Sequence, residues 1–139
     1  MAYDNNNIFA QILRGEMPSY SVYEDEETYA FMDIMPVSKG HTLVVPKSDA
    51  ENIFELEESY ISAVAKTSKL IAAAIKETLK PSGVLITQLN GADAGQTVFH
   101  YHVHVIPVYS ENPMKIHTNK LEDKALLETT ANEIKKGIG

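Results

Sequence analysis

Three histidines alternate with other residues in the segment Gln96-Thr-Val-Phe-His-Tyr-His-Val-His-Val-Ile-Pro107, at positions 100, 102 and 104. Imidazole titrates near neutral pH, so one ring of a cluster can act as a neutral nucleophile while a neighbour holds a proton for a leaving group. Adjacent imidazolium charges repel, which lowers each pKa and keeps a nucleophile unprotonated. Side chains alternate between the two faces of a strand. If residues 97–106 are extended, His100, His102 and His104 share one face, with successive Cα atoms roughly 6.5–7 Å apart. Phe99, Tyr101, Val103 and Val105 then point the other way, toward a core. His41 stands after Gly40 at the entrance of a second strand and joins the cluster as a fourth histidine.

Three chemistries fit these residues: covalent phosphoryl or nucleotidyl transfer through a histidine, a zinc site built on His-x-His, or histidines that only line a polar face. The loop Asn90-Gly-Ala-Asp-Ala-Gly95 before the segment favours the first. Gly91 and Gly95 let backbone amides approach an anion, and Gln96 and Thr97 add hydrogen bonds. A zinc site has no use for such a loop. The fifth histidine, His117, lies in a weakly patterned tail and reads as exposed. The acidic group Glu55, Glu57 and Glu58 reads as a solvated helix face.

The elements that must position these residues are legible in the patterning. Asn6 or Asn7 caps a short helix over residues 8–14 that stops at Gly15, and the residues before it read as a frayed terminus. Strands over 21–24 and 28–33 flank the turn Asp25-Glu-Glu27. His41-Thr-Leu-Val-Val-Pro46 is a buried strand. Ile61, Val64, Ile71, Ile75 and Leu79 repeat at helical spacing across residues 59–80, closed by Pro81 and Gly83. Residues 84–89 and 97–106 are strands, the latter ended by Pro107, and 121–136 suggests a second helix. This order predicts an α+β fold, a largely antiparallel sheet with helices packed on it.

Composition narrows the function classes. The 139 residues suit a single domain. The absence of cysteine removes disulfides, thiolate zinc sites and cysteine nucleophiles. A formal charge of −7 with scattered basic residues speaks against general nucleic-acid binding. No apolar run reaches the length of a membrane span and the start lacks signal-peptide character, so a cytoplasmic protein without membrane contacts is expected.

The 96–107 segment resembles the signature of the histidine triad family. Ile8-Phe-x-x-Ile-Leu-x-Gly-Glu16, Val22-Tyr-Glu24, Ala30-Phe-Met-Asp33 and Gly40-His-Thr-Leu-Val-Val-Pro46 resemble its nucleotide-binding Hint branch, so that the likeness covers residues 8–109. The resemblance implies a five-stranded antiparallel sheet with one long helix, shorter terminal helices (the C-terminal extension spanning about 118–139), and a homodimer with a continuous sheet. It implies cleavage at the α-phosphate of purine nucleoside phosphoramidates, with a nucleoside monophosphate (AMP or GMP) released; asymmetric cleavage of dinucleoside polyphosphates and a binding module with interaction roles are the alternatives. His102 would be the nucleophile, His104 would contact phosphate and leaving group, and His100 and His41 would orient the site. Asp33 would hold the ribose, Phe9 and Ile34 would lie near the base, and Asn90, Gly95, Gln96 and Thr97 would serve the phosphate. Some bacterial members carry a Cys-x-x-Cys that binds zinc with histidines. Asn7, Ala10 and Asp49 occupy those ligand positions here, so neither a metal nor another cofactor is expected. The tryptophan-containing tail of animal members is also absent.

Overall fold

A computed structural model of the protein describes residues 3–111, 114–115 and 117–138. Its elements are α1 (Ile8–Leu13), β1 (Ser21–Glu24), β2 (Thr28–Met32), β3 (Thr42–Pro46), α2 (Glu58–Leu79), β4 (Gly83–Thr87), a 3₁₀ turn at Ala92–Ala94, β5 (Val103–Val108) and α3 (Lys124–Ile138). The five strands form one sheet in the order β1-β2-β3-β5-β4, and every pairing is antiparallel. This is the α+β architecture the patterning predicts. Among the described residues no helix is long and apolar enough to cross a membrane.

Strand alternation divides the sheet into two unlike faces. Ala30, Met32, Val44, Val103 and Val105 point toward α2 and α3, where Val64, Ile71, Ile75, Leu127 and Ile134 complete the main core. Phe31, Leu43 and Val45 point to the opposite face, where Phe9, Ile12 and Leu13 of α1 pack against them together with Val98. Helix α1 starts where the Asn7 side chain accepts from the Ala10 amide at 2.9 Å. Gly40 delivers the chain into β3 at φ +98°, where an added Cβ would lie 2.5 Å from Leu79 Cδ1 and 3.0 Å from Pro107 Cγ.

Several boundaries differ from expectation. β5 begins at Val103 rather than residue 97 and runs through Pro107, which pairs with Val84. A proline cannot donate to the ladder, yet its carbonyl still accepts, here from the Ser38 hydroxyl at 2.5 Å. Residues 97–102 are irregular because their polar groups bond outside the sheet, as when the Tyr101 amide donates to the Ala50 carbonyl at 2.8 Å. The strict strand argument therefore covers His102 to His104 only weakly and His100 not at all. Phe99 is half-buried, outside the core that takes Tyr101, Val103 and Val105. Helix α2 ends at Leu79, with Lys80 in the left-handed conformation ahead of Pro81. The start of the chain is not frayed where it is described: Tyr3 OH sits 2.6 Å from His100 Nδ1, and Asn7 Nδ2 donates to that hydroxyl at 2.9 Å. Met1 and Ala2 lie outside the described residues.

Candidate functional site

The site is built across the β3–β5 pair. Leu43 faces His104 in the register, which makes His41 its diagonal neighbour on the same face. His41, His100, His102 and His104 are all buried, exposed by 1%, 0%, 5% and 4%. Burial of this depth demands a partner for nearly every ring nitrogen, and the partners fix where each proton sits.

The Val37 amide donates to His41 Nδ1 at 3.1 Å. The neutral ring must then carry its proton on Nε2, which lies 3.0 Å from His104 Nδ1 and 3.4 Å from Asp33 Oδ2. His104 Nδ1 accepts, so its proton sits on Nε2. That Nε2 is the one buried side-chain polar atom without a partner among the described residues. A buried N–H left unpaired is costly, and this one belongs to a ring that lines the cavity described below. His102 is arranged in the opposite sense: Nδ1 lies 2.7 Å from the His100 carbonyl, so Nδ1 holds the proton and Nε2 keeps its lone pair. His100 completes the set. Its Nε2 donates to the Pro46 carbonyl at 2.9 Å, leaving Nδ1 to accept from Tyr3 OH.

Electrostatics agree with neutral rings. Burial pushes His41 down to about 3, assisted by repulsion from His117 and His102. Burial likewise pushes His102 to about 4 against the opposing effect of the His100 carbonyl. His104 falls to about 3 through burial and its neighbouring histidines. Burial also lowers His100, opposed by its bond to the Pro46 carbonyl. Asp33 moves the other way, raised by burial to about 6 although the Met35 amide donates to it at 2.9 Å.

His102 and His104 line a cavity of about 400 Å³ on the sparsely covered face. Its other walls include Phe9, Ile12, Phe31, Asp33, Ile34 and Thr97. Phe9 meets the His102 ring edge-on at 4.9 Å between centroids. An apolar slot with one carboxylate at its rim and imidazoles at its end suits a molecule with a flat apolar part and an anionic part.

Asp33, His41 and His104 place one potential ligand atom each within 4.8 Å of one another. The donor set does not suit a cation. The Val37 amide takes the Nδ1 lone pair of His41, so the ring offers a proton rather than a lone pair at Nε2. The three groups form a hydrogen-bond chain.

Residues 14–111 match the HIT domain model. The chain belongs to the HIT domain family. Protein hit of Bacillus subtilis is 48% identical over 110 residues, 76% of this chain and 73% of that protein. An adenosine 5′-monophosphoramidase of Candida albicans is 34% identical over 115 residues, 80% of this chain and 76% of that protein. The crystal structure of a Hit-like protein of Bartonella henselae, described as involved in cell-cycle regulation, superposes with a TM-score of 0.92 at 41% identity, covering 99% of both chains.

Within this HIT domain the residues singled out from sequence divide in two. Phe9, Asp33, Ile34, Thr97, His102 and His104 line one cavity, and His41 and His100 bond to it from behind. Asn90 and Gln96 do not line it. Asn90 accepts from the Ile53 amide and exchanges hydrogen bonds with Gln88. Gln96 is buried, donating to the carbonyls of Glu51 and Val98 while accepting from the Gly91 amide. Both side chains brace the loop. Gly95, at φ +102°, turns its carbonyl to His117 Nε2 at 2.8 Å. His117 itself is exposed as expected, yet it lines the cavity with its ring 5.9 Å from that of His104. Tyr3, the Val37 amide and His117 are the participants that sequence reasoning missed. The surplus of one histidine over the four assigned was the only available signal, and it concerned His117 alone.

Proposed function

We propose that the protein is a nucleotide hydrolase acting on purine nucleoside phosphoramidates through a covalent nucleotidyl-histidine, with a nucleoside monophosphate released. The observation that carries this reading is the opposed arrangement of two adjacent rings at one cavity. His102 offers a lone pair on Nε2, and His104, 4.9 Å away between centroids, offers an N–H on Nε2. Nucleophile and anion donor are thereby separate groups.

In this reading the purine lies in the slot between Phe9 and Ile34, and Asp33 accepts from the ribose hydroxyls. The α-phosphate rests against Thr97 and the His104 Nε2–H. His102 Nε2 attacks phosphorus, and its developing positive charge is shared through Nδ1–H with the His100 carbonyl. Neutral His102 suits this role, because burial keeps the ring from protonating at neutral pH. No metal or other cofactor takes part. The Candida albicans relative, an adenosine 5′-monophosphoramidase, supports this substrate class. The same reading includes a cytoplasmic homodimer that extends the sheet at β4, an edge strand on which Ile86 is 49% exposed.

The deciding measurement compares kcat/KM for an adenosine 5′-phosphoramidate and a diadenosine polyphosphate. The phosphoramidate is expected to be the better substrate. Preference for the polyphosphate would move the chain to the asymmetric-hydrolase alternative. Binding of AMP with cleavage of neither would mark it as a binding module.

A further inference from the structure

The hydrogen-bond chain behind the phosphate position has a consequence for proton supply. If His104 released its Nε2 proton, it could be made good only by accepting the His41 Nε2 proton on Nδ1. His41 could not recover its own through Nδ1, which faces the Val37 amide, a backbone N–H that does not ionise. Its other neighbour, Asp33, 3.4 Å from Nε2, serves in this reading as an acceptor for the ribose hydroxyls. The buried chain can polarise a phosphate oxygen but cannot deliver a net proton. His100 is likewise closed, held between Pro46 and Tyr3, and the His102 proton is committed to the His100 carbonyl. An amine leaving phosphorus at neutral pH nevertheless needs a proton.

The fifth histidine meets that need. His117 lines the same cavity, with its ring 5.9 Å from that of His104, and is in contact with solvent. Its Nε2 donates to the Gly95 carbonyl, and among the described residues no partner faces Nδ1. The carbonyl bond orients the ring, committing Nε2 to Gly95 and leaving Nδ1 as the nitrogen that can exchange a proton. The tail that carries it is held at its far end, where the Glu122 amide donates to the Ile34 carbonyl at 2.9 Å. Thr118 and Asn119 continue the cavity wall beside it. The titratable groups around it are Asp33, His41, His102 and His104.

We propose that His117 is a further catalytic residue of this HIT domain, the acid that protonates the departing amine and then the base that activates water; the assignment rests on the nucleotidyl-transfer reading above. In the first step the His102 Nε2–P bond forms and the P–N bond to the amine breaks. The electron pair passes to the leaving nitrogen, which takes a proton from His117 Nδ1. In the second step water attacks phosphorus and gives a proton to His117 Nδ1. The P–N bond to His102 breaks, its electron pair returns to Nε2, and the nucleoside monophosphate departs.

The test uses the whole chain and two substrates that differ in their need for an acid. One is an adenosine 5′-phosphoramidate of an alkylamine, and the other is the p-nitrophenyl ester of AMP, whose leaving group departs as a stable anion. His117→Ala is expected to lower kcat/KM for the alkylamide by about 100-fold and for the ester by less than about 5-fold. Added imidazole should restore part of the alkylamide rate. His117→Gln retains a donor for the Gly95 carbonyl but carries no transferable proton, so it should behave as His117→Ala does. Equal losses on both substrates, or full activity in His117→Gln, would overturn the assignment and leave His117 a structural tether. Wild-type protein that cleaves neither substrate would instead remove the nucleotidyl-transfer reading, and this assignment with it.

Discussion

The two faces of the sheet are made by the same strands and differ in almost everything else. On one, α2 and α3 bury Ile71, Ile75 and Ile134 to complete exclusion from water. On the other, a helix of six residues covers part of the surface and leaves a cavity of about 400 Å³ bordered by His102 and His104. Close packing supplies stability, and incomplete packing leaves room for a ligand. Polar groups follow the same division. The helix-covered face needs few of them, whereas the open face holds four buried imidazoles, each anchored through main-chain groups or a neighbouring ring.

This contrast can be tested, beginning with the largest effect. His102→Ala should reduce phosphoramidate turnover by about 1,000-fold or more while AMP still binds, as measured by steady-state kinetics and calorimetry. Wild-type turnover in that variant would remove the covalent mechanism. Ile75→Ala, on the filled face, should do the reverse: denaturant unfolding should show a loss of about 2–5 kcal/mol, with turnover per folded molecule intact. Loss of activity without loss of stability would show that the two faces are not separable.

Acid should act on the open face. The folded-state pKa values of His41, His102 and His104 lie below the usual imidazole value, so the unfolded chain binds protons that the fold refuses. Their stabilising contribution is present above about pH 6.5 and is lost as pH falls toward 4, roughly 2 kcal/mol for one such ring at pH 5. Asp33, raised to about 6, has the opposite sign and offsets part of this loss. Thermal melts at pH 7.5 and pH 5 should show the net fall, and an unchanged midpoint would contradict neutral burial. Asp33→Asn should raise KM about 10-fold through loss of a charged acceptor for the ribose. It should also abolish the wild-type rise in KM as pH drops below about 6. The smallest effect is expected for Tyr3→Phe, which removes the donor to His100 Nδ1 and should lower kcat a few-fold with KM little changed.

The order of strands and helices along the chain and both major helices were legible because hydrophobic periodicity and turn residues are local signals, whereas the contact of His41 with His104, 63 positions apart, was not. The extended reading of residues 97–106 went wrong at its beginning for a physical reason. Alternation is also produced by an irregular segment whose residues are held one at a time, as His100 is by Pro46 and Tyr101 by Ala50. Asn90 was assigned to phosphate through the family resemblance, and Gln96 also through its place after the glycine loop; an amide side chain is equally suited to bracing a loop, which is where the structure places both. Tyr3 lies 97 positions from its partner, a separation that no local pattern encodes.

The proton positions in the four buried rings give the site a spectroscopic signature. His41, His100 and His104 each carry the proton on Nε2, and His102 alone carries it on Nδ1. In ¹⁵N-edited spectra of the imidazoles at neutral pH, three rings should therefore share one tautomer pattern and a single ring should show the reverse. That inverted ring is the proposed nucleophile, distinguishable before any substrate is added, and its signals should be the ones lost in His102→Ala.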